Sequence, residues 1–175
     1  MKVKLYDTTL RDGAQREGIS FSVEDKVKIA RKLDAIGIHY IEGGYGGSNP
    51  KDMEFFARMK ASPLPKAVVV AFGRTRRAGV AAEEDASLRA LLATEMPVVT
   101  LVAKASLPQV MQVLRTTPEE NLAMIADSIR FLKSKGRCVI FDAEHFFDGY
   151  IADAGYALKT LEMAEEAGAE VICLC

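Results

Sequence analysis

The sequence has almost no net charge and no long apolar run. Its 175 residues contain 23 Lys and Arg against 24 Asp and Glu, a formal net charge of −1, so no basic excess points to nucleic acid. The longest apolar runs, such as AVVVAF at 67–72, are far too short to span a bilayer. The opening MKVKLYD alternates charged and apolar residues and predicts a strand rather than a signal peptide. We therefore expect neither nucleic acid nor a membrane as a partner.

Cysteine and histidine are also scarce. The three cysteines are Cys138, Cys173 and Cys175, and an odd number without secretory features predicts reduced thiols and a cytoplasmic protein. The CLC at 173–175 could ligate a soft metal, but a buried strand carrying small apolar thiols is the favoured interpretation.

Apolar runs typical of strands alternate with segments of helical period. The predicted strands cover 3–9, 39–44, 66–73, 97–104, 137–146 and 170–175. The predicted helices cover 22–37, 53–60 (begun by SNPKD at 48–52), 84–94, 107–114, 118–134 and 153–167. In the first helix Ser22 is the expected N-cap and Gly37 the expected terminator, with Val27, Ala30, Leu33 and Ile36 on one apolar face.

This alternation predicts an α/β protein with a parallel sheet and helical crossovers. A doubly wound sheet and a (β/α)₈ barrel compete, but no glycine-rich phosphate-binding fingerprint follows the first strand. The sequence also stops at the end of a strand, and a whole barrel needs about 250 residues. We expect residues 1–175 to be a single, incomplete barrel domain that holds strands one to six and lacks strands seven and eight.

Charged or polar side chains lie at the carboxyl end of every complete predicted strand, where both architectures place their sites. They are Asp7, Arg11, Asp12 and Gln15 after the first strand, Glu42 in the second, GRTRR at 73–77, Lys104, and DAEHFFD at 142–148. This common placement predicts a polar site at one rim of the sheet.

Several of these residues also have a simpler structural interpretation. Asp7 suits a turn, and Arg11 beside Asp12 could form a surface ion pair of little energetic value. The RTRR segment fits a solvated face or an anion site equally well, and His145 could be an ordinary satisfied histidine. Glu42 lies late in a buried strand, where a carboxylate needs a partner.

A rim rich in carboxylates favours a hard divalent cation such as Mg²⁺ or Mn²⁺. An arginine beside the metal ligand could stabilise an oxyanion or enolate. A carboxylate or histidine from another strand could carry protons.

The segment LYDTTLRDGAQREG resembles the opening signature of the DRE-TIM metallolyase superfamily, with its D-x-T-x-R-D-G-x-Q pattern. The resemblance continues through IEGGYGGSNPKDMEFF, AFGRTRRAG, VTLVAKAS and DAEHFFDGY, so it covers essentially the whole chain. The EGG-x-x-GSNPKD and DAEHFFDGY segments are most similar to the citramalate synthase branch and its relatives labelled 2-isopropylmalate synthases.

The resemblance implies a (β/α)₈ barrel that condenses acetyl-CoA with a 2-oxo acid, most simply pyruvate, in branched-chain (isoleucine or leucine) biosynthesis. It implies that Asp12 ligates a divalent metal, Mg²⁺ or Mn²⁺, that Arg11 is catalytic, and that Gln15 and Glu42 line or buttress the site. Glu144 matches an acid that assists proton transfer, with His145 beside it. Arg74 and Lys104 are further candidates for contacts to the substrate carboxylate or CoA phosphates. A homodimer is expected for full-length members.

The sequence departs from the family at the other metal ligands, a His-x-His pair on the seventh strand, because His39 and His145 are not spaced that way. The regulatory C-terminal region is missing too. We therefore expect weak metal binding and an inactive or very weakly active chain. Alternatives are a 2-isopropylmalate or homocitrate synthase, a hydroxymethylglutaryl-CoA-type lyase, and a non-catalytic barrel fragment that needs a partner chain.

Overall fold

Six strands form one sheet in the computed structural model, which describes residues 3–47 and 49–175. The strands are hydrogen-bonded in chain order, with parallel pairing. They are β1 (Tyr6–Asp7), β2 (Tyr40–Tyr45), β3 (Val68–Arg74), β4 (Val98–Lys104), β5 (Cys138–Glu144) and β6 (Val171–Leu174). Successive order is that of a (β/α)₈ barrel, whereas a doubly wound sheet reverses its order at a switch point. The predicted fold class, an α/β chain with six parallel strands of a partial barrel, is confirmed.

Helical segments lie between successive strands, as crossover connections require. The α-helices are α1 (Val23–Ala35), α2 (Pro50–Ala61), α3 (Ala86–Ala93), α4 (Leu107–Gln109), α5 (Pro118–Ser134), α6 (Phe146–Ala152) and α7 (Ala154–Ala167). A 3₁₀ turn covers Gly13–Gln15, and a π-helical turn, Val110–Leu114, continues α4. No described helix is long and apolar enough to cross a membrane.

The chain divides into two compact units. The first comprises Met1–Phe72 and Ala90–Val99, and the second comprises Gly73–Arg89 and Thr100–Cys175. The extent of the domain beyond these residues stays a prediction.

The first unit has a core of aromatic and aliphatic side chains supplied by β2, β3 and α2. Ile41, Phe55, Phe56 and Val70 are fully buried there. The pairing of β2 with β3 shifts register between Glu42 and Gly44 and resumes with Tyr45 opposite Phe72, which is the pattern of a β-bulge at Gly43.

The second unit packs α5 against α7 and pairs β5 with β6. Ile125 and Ile129 of α5 and Phe141 of β5 are fully buried. Gly149 of α6 lies so close to the preceding loop that an added Cβ would be 2.6 Å from the Ala105 carbonyl oxygen. This contact brings α6 against the segment that follows β4.

The predicted ends of α1 are confirmed, but its predicted face is only partly correct. Ser22 and Asp25 form a reciprocal capping box, and Gly37 follows the helix with φ +94°. Ile36 is 74% exposed, whereas Lys26 and Asp34 are buried. The buried face therefore carries two charged residues that the apolar pattern did not predict.

Several predicted elements differ by a few residues from those observed, and for three of them the structure shows how the difference arises. The first strand ends at Asp7 because the Asp7 carboxylate accepts hydrogen bonds from the backbone and hydroxyl of Thr9, which begins a turn. The fifth strand ends at Glu144 because His145 has a left-handed backbone, φ 57°, and the sequence did not predict α6. The 107–114 helix is a single α-turn followed by the π turn.

The interpretation of CLC as a buried strand is wrong for its thiols, because Cys173 and Cys175 are exposed. Three residues named in the sequence predictions, Met1, Lys2 and Ser48, lie outside the described residues.

Candidate active site

The polar segment after β1 folds into a tight turn that presents Arg11. The Thr8 carbonyl oxygen accepts backbone hydrogen bonds from Arg11 and from Gly13, both at 3.1 Å. Leu10 is fully buried and anchors the middle of the turn in the core of the first unit. An apolar side chain inside a polar motif thus fixes the direction of its neighbours.

Arg11 is held by two carboxylates and one aromatic ring. Its Nη1 lies 3.0 Å from Asp12 Oδ1, and its Nη2 lies 3.2 Å from Glu42 Oε2. The guanidinium carbon lies 3.8 Å from the centroid of the Phe72 ring, in cation–π contact. Its Nε is buried and has no hydrogen-bond partner among the described residues. The geometry fixes a cation whose hydrogen-bonding capacity is only partly used.

The two carboxylates beside Arg11 differ in burial. Glu42 is 1% exposed, so the partner that its buried position required is Arg11. The Asp12 side chain is 64% exposed, which leaves its carboxylate open to solvent or to a ligand. Arg11 therefore joins a buried anion to an accessible one.

A cavity of about 220 Å³ lies next to Arg11 in the first unit. Gln15 contributes to its wall from the 3₁₀ turn, and Lys51 and Asn49 contribute from the start of α2. The predicted site residues Arg11 and Gln15 are thus brought to one concave surface. Lys26 and Asp52 also line it, and both are buried.

In the second unit, the structure pairs Lys104 with Glu144. Lys104 Nζ lies 2.5 Å from Glu144 Oε2, and the two side chains are 17% and 37% exposed. Lys104 therefore contacts Glu144, the predicted proton-transfer residue. His145, which follows Glu144, has Nδ1 3.8 Å from Asp148 Oδ2 and a side chain 43% exposed.

Of the three arginines in GRTRR, one is buried and tied to a helix. Arg76 donates to Glu120 Oε1 at 2.7 Å and to Asp127 Oδ2 at 2.8 Å, both on α5. Burial opposes its charge, but these bonds raise the pKa of the Arg76 guanidinium. Arg76 is thus neither part of a solvated face nor open to an anion, and Arg77 alone of the three is exposed.

Arg74 contacts its own loop. Its Nη1 donates to the Thr75 carbonyl oxygen at 2.9 Å, and its Nη2 lies 3.9 Å from Asp85 Oδ2. Burial acts to raise the pKa of Asp85, but hydrogen bonds from the backbone of Arg77, Leu88 and Ser87, with the Arg74 charge, hold it below its usual value. Asp85 thus fastens the loop after β3 to the start of α3.

No group of three or more His, Cys, Asp or Glu side chains within 3–47 and 49–175 is arranged to hold a metal ion. Asp12 is a suitable hard ligand for Mg²⁺ or Mn²⁺, but Glu42 beside it is committed to Arg11. The described residues therefore do not make up a metal site by themselves.

The buried pair Lys26–Asp52 was missed by the sequence analysis. Its signal lay in the spacing of α1, where Val23, Lys26, Ala30 and Asp34 recur every three or four residues on the buried face. A charged residue at such a position needs a buried partner, and the sequence does not say which residue that is.

A fold of parallel strands in chain order, with an arginine and an aspartate presented directly after the first strand, agrees with one family of enzymes. The model of the HMGL-like family matches residues 2–175, and the chain belongs to that family.

Among individual relatives, the chain is 54% identical over 173 residues to the (R)-citramalate synthase of Geobacter sulfurreducens. The aligned region covers 99% of this chain and 33% of that protein. It is 34% identical over 169 residues to a homocitrate synthase of Methanopyrus kandleri, over 97% of this chain and 40% of that protein. The chain thus spans about a third of the length of the citramalate synthase it matches.

Solved structures show the same fold. The hydroxymethylglutaryl-CoA lyase of Pseudomonas aeruginosa superposes with a TM-score of 0.77 at 21% identity, over 99% of this chain and 57% of that chain.

Proposed function

We propose that this chain forms part of an enzyme that condenses acetyl-CoA with pyruvate to give (R)-citramalate. The support is the 54% identity to a protein of that name, against 34% to a homocitrate synthase. Because the chain spans about a third of the citramalate synthase, the reaction is proposed for the protein that contains these residues. A homodimer and a cytoplasmic location remain predictions.

The observation that carries the proposal is the setting of Arg11. A fixed cation, bordering a cavity and stacked on Phe72, is suited to stabilise negative charge that develops on oxygen. In a condensation, the methyl carbon of acetyl-CoA loses a proton and attacks the carbonyl carbon of pyruvate, whose oxygen gains the charge. We assign Arg11 to that oxygen. Water then hydrolyses the thioester, which releases CoA and the hydroxy diacid.

Proton transfer is proposed for Glu144, which lies at the carboxyl end of β5 with Lys104 Nζ 2.5 Å from its Oε2. Because of this contact we propose that Lys104 positions the Glu144 carboxylate rather than contacting CoA phosphates directly. Gln15 and Arg74 remain candidates for the substrate carboxylate, and His145 remains a candidate beside Glu144.

Asp12 is proposed as one carboxylate ligand of a divalent cation, because it is exposed beside Arg11. The described residues do not complete such a site, so no step of this proposal runs through a metal. The isolated 175-residue chain is accordingly expected to be inactive or very weakly active.

The test is an assay of the product of the complete reading frame that encodes residues 1–175. It is incubated with acetyl-CoA, Mn²⁺ and either pyruvate or 2-oxoisovalerate, and free CoA is measured with a thiol reagent. We expect CoA release with pyruvate and much less with 2-oxoisovalerate. A preference for 2-oxoisovalerate would contradict the assigned substrate, and cleavage of hydroxymethylglutaryl-CoA to acetoacetate would identify a lyase instead.

The chain of 175 residues, assayed in parallel, tests the expected loss of activity. Robust CoA release by that chain would overturn the expectation of inactivity and leave the reaction itself supported.

A further inference from the structure

A buried ion pair outside the DTTLRDGAQ segment lies behind the end of β2. Lys26 of α1 and Asp52 of α2 are each 6% exposed, and the Lys26 ammonium pairs with Asp52 Oδ1. Lys26 Nζ also donates to the Gly43 carbonyl oxygen at 2.9 Å. One cation thus connects two helices to the backbone of the bulge.

The other oxygen of Asp52 fastens the far side of the same bulge. Asp52 Oδ2 accepts from the backbone N–H of Tyr45 and from Asn49 Nδ2, both at 3.1 Å. The bulge therefore has its Gly43 carbonyl bound by Lys26 and its Tyr45 amide bound by Asp52. The pair thus holds two backbone groups of the segment in which the register shifts.

The backbone of the bulge also lies directly against α2. A Cβ at Gly43 would be 2.6 Å from Phe55 Cε1, and one at Gly44 would be 2.5 Å from the carboxyl carbon of Asp52. The path of the chain at this point is thus set by contact with α2 as well as by hydrogen bonds.

Glu42 immediately precedes the bulge, and its carboxylate contacts Arg11 at 3.2 Å. We propose that Lys26 and Asp52 are positioning residues that fix the bulge, and through it the place of Glu42 and the orientation of the Arg11 guanidinium. The role in turnover rests on the proposed function, whereas the effect on Arg11 does not.

A purely structural pair would stabilise the fold without affecting Arg11, and a matched variant separates the two cases. Asp34 lies on the same buried face of α1 and is also 6% exposed, but it binds the backbone N–H groups of Lys66 and Ala67. Asp34→Asn is therefore the control for Asp52→Asn, since both remove one buried charge in the first unit.

The experiment uses the complete reading-frame product and compares Lys26→Met, Asp52→Asn and Asp34→Asn. We expect the first two to lower kcat about 10- to 100-fold, because a misplaced catalytic group costs rate more than binding, with little change in KM for pyruvate. Asp34→Asn is expected to leave kcat near the wild-type value, even if it lowers Tm as much as Lys26→Met or Asp52→Asn does.

A second readout needs no turnover. The ¹⁵N signals of the Arg11 guanidinium, assigned by their loss in Arg11→Lys, report its rotation and its contact with Glu42. We expect restrained signals in the wild type and in Asp34→Asn, and averaged or shifted signals in Lys26→Met and Asp52→Asn.

Normal kcat together with wild-type Arg11 signals in Lys26→Met would overturn the proposal. If Lys26→Met does not fold, Asp52→Asn decides by the same readouts, because it retains the shape of the side chain. Absence of any wild-type turnover would count against the proposed function alone, and the Arg11 signals would then decide the positioning role.

Discussion

Arg11 in the first unit and Arg76 in the second are both buried or nearly so, and each has two carboxylate partners, yet their surroundings differ. Arg76 uses Nε, Nη1 and Nη2 in hydrogen bonds to Asp127, Glu120 and the Arg77 carbonyl oxygen. Arg11 leaves its Nε without a hydrogen-bond partner among the described residues and borders a cavity. A guanidinium with every nitrogen engaged serves as a tether, whereas one with a free nitrogen beside a cavity can meet a ligand.

The largest effect is expected on turnover. Arg11→Lys keeps the charge but loses the planar fork, so we expect kcat to fall by about 100- to 1000-fold, the range for loss of one oxyanion-stabilising donor. The measurement is CoA release with pyruvate by the complete reading-frame product. Arg76→Lys, which alters the tether in the same way, is the control and should leave kcat little changed. Equal losses in both variants would abolish the distinction.

The second effect is on stability. Arg76→Met leaves Glu120 and Asp127 without their cation, and we expect the free energy of unfolding to fall by about 2–3 kcal/mol, less than for a fully buried pair because both carboxylates are partly hydrated. Urea denaturation measures this difference. Glu54→Gln, which breaks an exposed ion pair with Arg58 on α2, is expected to cost much less, because water screens the charges of an exposed pair. Equal costs would show that the Arg76 tether contributes no more than a surface pair.

The smallest effect concerns pH. The Arg76 guanidinium and the Gly79 N–H lower the pKa of Glu120 below its usual value. A lowered folded-state pKa adds stability that is present above the unfolded-state pKa and is lost as pH falls through the folded value. We expect Glu120→Gln to flatten the decline in stability below about pH 4.5, the ordinary range for glutamate.

Thermal unfolding from pH 6 to pH 3 measures how steeply stability declines as the pH falls. Glu119→Gln, which removes an acid from the same first turn of α5 but not from the Arg76 tether, is the matched control. A slope unchanged in Glu120→Gln would show that the tether does not contribute to acid sensitivity.

Much of the architecture could be predicted because it depends on local pattern. The six strands and the capping of α1 by Ser22 and Gly37 follow from apolar period and from residue preferences at helix ends. The short helix α6 escaped prediction because it is held by a tertiary contact, the close approach of Gly149 to Ala105. The apolar pattern also placed Ile36 on the buried face of α1, where the structure has Lys26 instead. A pattern that counts only apolar residues cannot identify a buried lysine.

The candidate site was predictable in its residue types and not in its pairing. The sequence placed Arg11 beside Asp12 and indicated that buried Glu42 needs a partner, but it could not join Glu42 to Arg11. It also could not separate Arg76 from Arg74 and Arg77, because burial of one arginine in three depends on α5, far along the chain. Partner choice between distant residues is a property of the packed structure.

The turn that carries Arg11 bears on the energetics of binding. Its backbone is closed by two hydrogen bonds to the Thr8 carbonyl oxygen and pinned by buried Leu10. Fixing the backbone of a residue costs about 1–2 kcal/mol in conformational entropy, and folding has already met that cost here. A ligand that engages Arg11 therefore encounters a preorganised receptor, and its affinity is not reduced by the need to order a loop.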